Sequence, residues 1–133
     1  MIMKILSTIL LTLLIVLGAC TSPQVSPDPF VRVSNGRLTV NGKPYYYIGT
    51  NFWYGAILGS QGQGGNRERL LRELDYLKAL GINNLRVLVG ADGKDGIPTK
   101  AEPALQVEAG VYNDTIFDGL DFFLSELDKR DMY

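Results

Sequence analysis

The feature that most constrains the fold is an alternation of strand and helix patterns that begins at Tyr45. A strand pattern covers residues 45–51, a helix pattern residues 66–80, a second strand pattern residues 85–89 and a second helix pattern residues 114–131. The helix patterns repeat apolar residues at helical spacing, and the second strand pattern is a near-continuous apolar run. This order predicts a parallel βαβ crossover, which is the start of an α/β fold.

Local signals set the limits of both helix patterns. Asn66 and Asn113 stand where a side-chain oxygen can cap the first free N–H groups, and Gly81 stands where a helix commonly ends in a left-handed residue. The five glycines and absent charges of residues 55–65 predict a flexible loop, and residues 90–113 predict a second, long loop.

Ahead of the alternation, Asn-Gly pairs separate short apolar runs. They occupy residues 35–36 and 41–42, and Asn-Gly is the strongest short-range signal for a two-residue hairpin turn. Together with residues 45–51 as a third strand, these runs predict a three-stranded antiparallel meander.

The charge balance and two scarce residue types exclude several functional classes. Thirteen basic and fourteen acidic residues give a net charge of -1. The chain therefore lacks the excess of basic residues that is typical of nucleic-acid-binding proteins. The chain has no histidine, so Ser-His and Cys-His triads and histidine metal sites are excluded. Its single cysteine excludes an intrachain disulfide and a zinc cluster. We therefore expect neither a metal site nor a cofactor.

The N-terminal residues predict an export signal. Lys4 precedes an uncharged apolar run that is shorter than the roughly 20 residues of a membrane span, which predicts a signal peptide over residues 1–19. Leu17–Cys20 resembles the lipobox of bacterial lipoproteins, which implies cleavage before Cys20, lipidation there and anchoring to the cell envelope. The alternative is an ordinary signal peptide with a chance cysteine. Prolines and serines in residues 20–29 predict an extended tether.

An aromatic group follows the first strand pattern. Phe52, Trp53 and Tyr54 come directly after Asn51, at the carboxyl end of the strand. Aromatic rings on a loop are costly to leave exposed unless they meet a ligand, and sugars stack on such rings while an amide binds their hydroxyls. These residues therefore form a candidate sugar-binding group. The alternative is that Phe52 and Trp53 fold back as anchors of the loop.

Arg86 interrupts the apolar run of the second strand pattern. A buried guanidinium requires a carboxylate partner or a wet cleft. In the functional interpretation, Arg86 holds an acidic catalytic group ionised and oriented. In the alternative interpretation, it is a strand-end arginine that reaches solvent.

Two of these segments resemble a known family. Gly49–Tyr54, followed by a helix and then by Ile82–Val87, resembles the opening of glycoside hydrolase family 5 enzymes, with the endo-β-1,4-mannanases as the nearest match. The resemblance implies that residues 30–133 are the first two βα units of a TIM (β/α)₈ barrel with an N-terminal meander, and that Arg86 hydrogen-bonds the nucleophile. The residues that it places in the sugar cleft are Asn51, Phe52, Trp53 and Tyr54.

The same resemblance implies that this barrel is incomplete. The family uses two glutamates, one after an asparagine on the fourth strand and one on the seventh, and a barrel needs roughly 250 residues. The chain has no Asn-Glu pair, so both glutamates are expected beyond Tyr133 and the chain alone is expected to be inactive. The implied partner is a β-mannan. The alternatives are a β-glucan- or cellulose-cleaving member of the family and a non-catalytic glycan-binding surface lipoprotein.

We predict that residues 1–133 pack loosely or aggregate when they are expressed alone. Each buried leucine or phenylalanine stabilises a fold by roughly 1.5–3 kcal/mol, and two parallel strands cannot cover the apolar faces of both helices. The unpaired strand edge at residues 85–89 could also pair with strands of other chains, which promotes aggregation. Thermal unfolding with size measurement tests this, and a sharp cooperative melt from a monomer would contradict it.

Overall fold

The computed structural model describes residues 29–98 and 100–133. The predicted signal peptide, Cys20 and residues 20–28 of the predicted tether lie outside the described residues. The chain divides into two compact units, one ending at Pro44 and the other comprising Tyr45–Tyr133. Within the described residues, no helix has the length and apolar character that crossing a membrane requires.

The first unit is an antiparallel meander. Both Asn-Gly pairs have positive φ angles, 50° and 73° at residues 35–36 and 51° and 73° at residues 41–42, as two-residue hairpin turns require. The predicted meander is therefore confirmed, but its third strand is not residues 45–51. Pro44 has no N–H to donate, and the pairing ends there. The strands are β1 (Arg32–Ser34), β2 (Arg37–Val40) and β3 (Lys43–Pro44).

The second unit is an α/β arrangement. The last three residues of the predicted third strand, Gly49–Asn51, pair in parallel with Asn84–Arg86, and two helices lie between them in the chain. The parallel crossover is therefore confirmed. The elements are β4 (Gly49–Asn51), α1 (Gly55–Gly59), α2 (Arg67–Ala79), β5 (Asn84–Arg86), β6 (Gln106–Glu108), β7 (Val111–Tyr112) and α3 (Asp114–Asp128).

Strand β5 is shorter than its apolar run suggested. It ends at Arg86, and Leu88 and Val89 are 40% and 54% exposed, so the part of the chain that the structure describes does not cover them. Tyr133 donates to the Asn83 carbonyl at 3.0 Å and accepts from the Leu85 N–H at 2.7 Å, the pattern of a parallel ladder. The described strands form no closed barrel.

Caps fix both long helices close to their predicted limits. The Asn66 side chain accepts from the Arg69 N–H at 2.9 Å, and Asn113 accepts from the Thr115 N–H at 3.1 Å. At the end of α2, Gly81 has a φ of 82° and the Ile82 N–H reaches back to the Leu77 carbonyl at 3.1 Å. This hydrogen bond closes a Schellman motif, so the glycine ends the helix as predicted.

The apolar faces of α2 and α3 meet Leu85 of β5 and Phe52, which follows β4, in one core. Phe123 of α3 stacks on Phe52 at 5.7 Å between ring centroids, with 3° between the ring planes. Leu70 and Leu74, one turn apart on α2, have no exposed surface. The buried members of this core are Phe52, Leu58, Leu70, Leu74, Leu85, Phe123, Leu127 and Met132.

The predicted loops contain regular structure. Residues 55–65 include the short helix α1, and residues 90–113 include the hairpin of β6 and β7. The flexible-loop prediction for residues 55–65 is therefore wrong in part, because the glycines there allow close packing as well as turns. A Cβ on Gly59 would lie 2.3 Å from the Gly119 carbonyl oxygen, and one on Gly119 would lie 2.2 Å from the Ala56 carbonyl oxygen.

Ion pairs join α3 to α2 near their ends. Arg130 contacts Glu126 at 2.7 Å and Asp75 of α2 at 2.7 Å. Hydrogen bonds from Lys129 and then Arg130 lower the pKa of buried Glu126, although burial opposes them. The resulting stabilisation is present above the ordinary glutamate pKa and is lost as the pH falls through the lowered value.

We predict that Gly119→Ala destabilises the fold. Alanine normally stabilises a helix by about 1 kcal/mol relative to glycine. Here the backbones of α1 and α3 must separate to admit the methyl group, which costs about 1–3 kcal/mol. Melting temperatures of the complete gene product measure this, with Ser125→Ala at an exposed position of α3 as the control. A rise in melting temperature for Gly119→Ala would contradict the predicted backbone contact.

Candidate functional site

Two predicted site residues meet where the parallel strands end. The register pairs Asn51 of β4 with Arg86 of β5, and each is the last residue of its strand. The Phe52 N–H donates to the Arg86 carbonyl at 2.9 Å, which holds the two chain ends together beyond the last paired residues. Carboxyl ends of parallel strands are where α/β enzymes place their binding and catalytic groups. We call this pair the strand-end edge.

Arg86 is exposed at this edge. Its guanidinium makes no ion pair with a carboxylate of residues 29–98 or 100–133. This agrees with the alternative of a strand-end arginine that reaches solvent, and its predicted support of a catalytic acid stays a prediction. The shallow cavity beside it has a volume of about 210 Å³ and is lined by Gly49, Thr50, Asn51, Asn84 and Arg86.

Phe52 lies in the core and not at the edge. Its side chain is 3% exposed, since it stacks on Phe123 and packs against Tyr54 at 4.5 Å between ring centroids. The side chains of neighbouring residues point to opposite sides of an extended chain, so an exposed Asn51 places Phe52 on the helix side. The structure therefore supports the anchor alternative for Phe52 and leaves it no surface for a sugar.

Trp53 remains available to a ligand. Its side chain is 49% exposed, and the indole meets the Tyr54 ring edge to face, at 5.3 Å with 84° between the planes. An exposed indole supported on one side presents a flat apolar surface to a partner. Of the three predicted aromatic residues, Trp53 is the one with the exposed ring surface that sugar stacking requires.

Tyr54 is half-buried and its hydroxyl is already engaged. It donates to Oε2 of Glu73 on α2 at 2.7 Å, and Arg69 Nε donates to Oε1 of the same carboxylate at 2.6 Å. The Arg69 guanidinium lies 5.6 Å from the centroid of the Tyr54 ring. We call these three side chains the tyrosine clamp.

The clamp shifts the pKa values of its members. Burial raises the pKa of the Tyr54 hydroxyl. The hydrogen bond that this hydroxyl donates to Glu73 raises the pKa further, and so does the negative charge of the carboxylate. For Glu73, burial acts to raise the pKa, but the hydrogen bonds from Tyr54 and Arg69 outweigh it and the pKa is lowered. Glu73 is therefore ionised near neutral pH, so its hydrogen bond with Tyr54 is charge-assisted.

Glu73 and Arg69 were not identified from the sequence, where they belong to the polar face of a predicted helix. Their spacing of four residues indicates a helical ion pair but gives no sign that Tyr54 joins it. The clamp borders a second cavity, of about 230 Å³, between β4 and α2. The residues that line this cavity are Thr50, Asn51, Phe52, Tyr54, Glu73, Tyr76 and Leu77.

Comparison with known proteins relates most of the chain to one family. Residues 28–133 match the family described as GH family 5 beta-mannosidase-like. Mannan endo-1,4-beta-mannosidase 1 of Oryza sativa subsp. japonica is 35% identical over 101 residues, which are 75% of this chain and 21% of the relative.

Solved structures give the same assignment. The crystal structure of the glycoside hydrolase family 5 mannosidase from Rhizomucor miehei matches with a TM-score of 0.75 and 35% identity, over 80% of this chain and 26% of that one. A mutant of that enzyme in complex with mannosyl-fructose matches with the same TM-score, identity and coverage. The chain thus spans about a quarter or less of the length of these relatives.

Proposed function

The chain belongs to glycoside hydrolase family 5, among its beta-mannosidase-like members, and we propose that it is the N-terminal portion of a retaining enzyme that hydrolyses β-1,4-mannosidic bonds. The family resemblance carried by Gly49–Tyr54 and Ile82–Val87 is confirmed. The observation that carries the proposal is the parallel register that sets Asn51 beside Arg86 at the strand-end edge.

The proposed substrate is a β-mannan, such as mannan, galactomannan or glucomannan. Curated relatives are named mannan endo-1,4-beta-mannosidases, and a structural neighbour was solved with mannosyl-fructose. A sugar ring at the strand-end edge would stack on Trp53 while the Asn51 amide, a donor and an acceptor, binds a hydroxyl.

In the proposed mechanism, one glutamate protonates the leaving oxygen and a second attacks the anomeric carbon, with about 5–5.5 Å between the two carboxyl groups. Both lie outside this chain. The part supplied here is Arg86, whose guanidinium would donate to the nucleophilic carboxylate, lower its pKa and keep it ionised. Because Arg86 is exposed in the described residues, its guanidinium is accessible to such a partner.

We predict that the complete gene product releases reducing sugars from β-mannan and that residues 1–133 alone release none. Arg86→Lys in the complete product keeps the charge but loses the forked geometry, so kcat is expected to fall by roughly 100-fold. Arg72→Lys, on the exposed face of α2, is the matched control and should retain full activity.

Three outcomes would contradict parts of this proposal. Turnover by residues 1–133 would show that the catalytic acids lie within them. Hydrolysis of cellulose or another β-glucan in place of mannan would favour the other substrate class of the family. Glycan capture without hydrolysis by the complete product would favour a non-catalytic glycan-binding lipoprotein.

We further propose that Cys20 is lipidated and anchors the mature protein to a bacterial cell envelope. Two or more acyl chains anchor a protein stably, because each buried CH₂ contributes about 0.8 kcal/mol. Cells fed an alkyne-tagged palmitate should label the wild-type protein and a Ser26→Ala control. They should not label Cys20→Ser, which should also leave the membrane fraction. Equal labelling of Cys20→Ser would refute the anchor.

A further inference from the structure

Trp53 depends on its neighbours for its orientation. Its side chain is half-exposed, and the ring contact that it makes in the described residues is with Tyr54. An edge-to-face contact restrains the orientation of an indole only if the ring on which the indole packs is itself held in place. The orientation of Trp53 therefore depends on what holds Tyr54.

Helix α2 holds the hydroxyl end of Tyr54. The Glu73 carboxylate accepts the Tyr54 hydroxyl at 2.7 Å through one oxygen and the Arg69 guanidinium at 2.6 Å through the other. Both hydrogen bonds are charge-assisted, which makes them shorter and stronger than neutral ones. The tyrosine clamp thus restrains the ring at its hydroxyl end, while Phe52 packs against it at 4.5 Å.

Helix α2 is itself a rigid support for the clamp. Glu73 immediately precedes Leu74, and Leu70 lies one turn earlier; both leucines have no exposed surface. Their burial fixes the rotation of the helix about its axis and hence the direction in which Glu73 projects. A group carried on a packed helix is placed more accurately than one carried on a loop.

We propose that Glu73 is a positioning residue for Trp53, acting through the Tyr54 hydroxyl to set the angle at which the indole meets a sugar ring. The inference rests on the proposed function. Glu73 does not touch the sugar. It restricts the side chain of Trp53 before the sugar binds, so less conformational entropy is lost on binding. Removing the clamp should therefore weaken substrate binding and leave the chemical step unchanged.

The first test observes Trp53 without any sugar. The complete gene product is labelled with 5-fluorotryptophan, and Trp53→Phe identifies the Trp53 signal by ¹⁹F NMR. Tyr54→Phe keeps the ring but removes the hydroxyl, so the signal should shift or broaden. Glu73→Ala should do the same and Glu73→Gln, which keeps an acceptor oxygen, should lie between. Glu68→Ala is the matched control, since Glu68 pairs with Arg72 and not with the clamp.

The second test uses the same variants with a mannooligosaccharide. Tyr54→Phe and Glu73→Ala should raise KM by about fivefold with kcat within about twofold, and Glu73→Gln should give an intermediate KM. An unchanged Trp53 signal in both Tyr54→Phe and Glu73→Ala would overturn the proposal. So would a shifted signal with unchanged KM, because Trp53 would then be oriented but not used.

The two tests separate this proposal from the function on which it rests. If the wild-type product hydrolyses no mannan, the proposed function fails, while the ¹⁹F signals still report whether the clamp orients Trp53. If mannan is hydrolysed and the clamp variants behave like Glu68→Ala, the positioning role alone fails. A fall in kcat without a rise in KM would also contradict it.

Discussion

The second unit depends on the backbone contact between α1 and α3. A Cβ on either Gly59 or Gly119 would lie within 2.3 Å of a carbonyl oxygen on the facing helix, so the two helices approach each other more closely than side chains allow. Gly55, at the start of α1, lies directly against the Phe123 ring. We call residues Phe52–Tyr54 the aromatic segment. Because α1 begins one residue after Tyr54, the contact between α1 and α3 fixes the end of this segment against a helix about sixty residues away in the chain.

Side-chain contacts reinforce that backbone contact. Arg67, at the start of α2, donates to the Gly59 carbonyl at 2.7 Å, pairs with Asp118 of α3 at 2.7 Å and lies 4.0 Å from the centroid of the Phe122 ring. One guanidinium thus connects the end of α1, the start of α2 and the side of α3. The aromatic segment is held on one side by these helices and on the other by the strand-end edge, so its position is defined by non-local packing.

The sequence predicted features that depend on neighbouring residues. These features depend only on residues a few positions away in the chain, and the structure contains all of them. They are the two Asn-Gly turns, the helix caps at Asn66 and Asn113, and the helix-ending Gly81. Helix α1 was missed because its glycines indicate a loop unless the facing Gly119 is known. Two further questions needed contacts between distant segments. The sequence left open whether Phe52 is an anchor or a sugar contact, and the stacking on Phe123 decides for the anchor. The role of Glu73 was missed because its hydrogen bond partner, Tyr54, lies nineteen residues away in the chain.

The proposed function requires that the strand-end edge of this chain, together with Trp53, form part of a mannan-binding cleft. A crystal structure of the complete gene product with a bound mannooligosaccharide tests it most directly. We expect a mannose ring stacked on the Trp53 indole, with a hydroxyl bound by Asn51 and a glutamate from outside residues 1–133 bound by Arg86. An oligosaccharide bound at another face of the barrel, with Trp53 and Arg86 free of both sugar and glutamate, would contradict it.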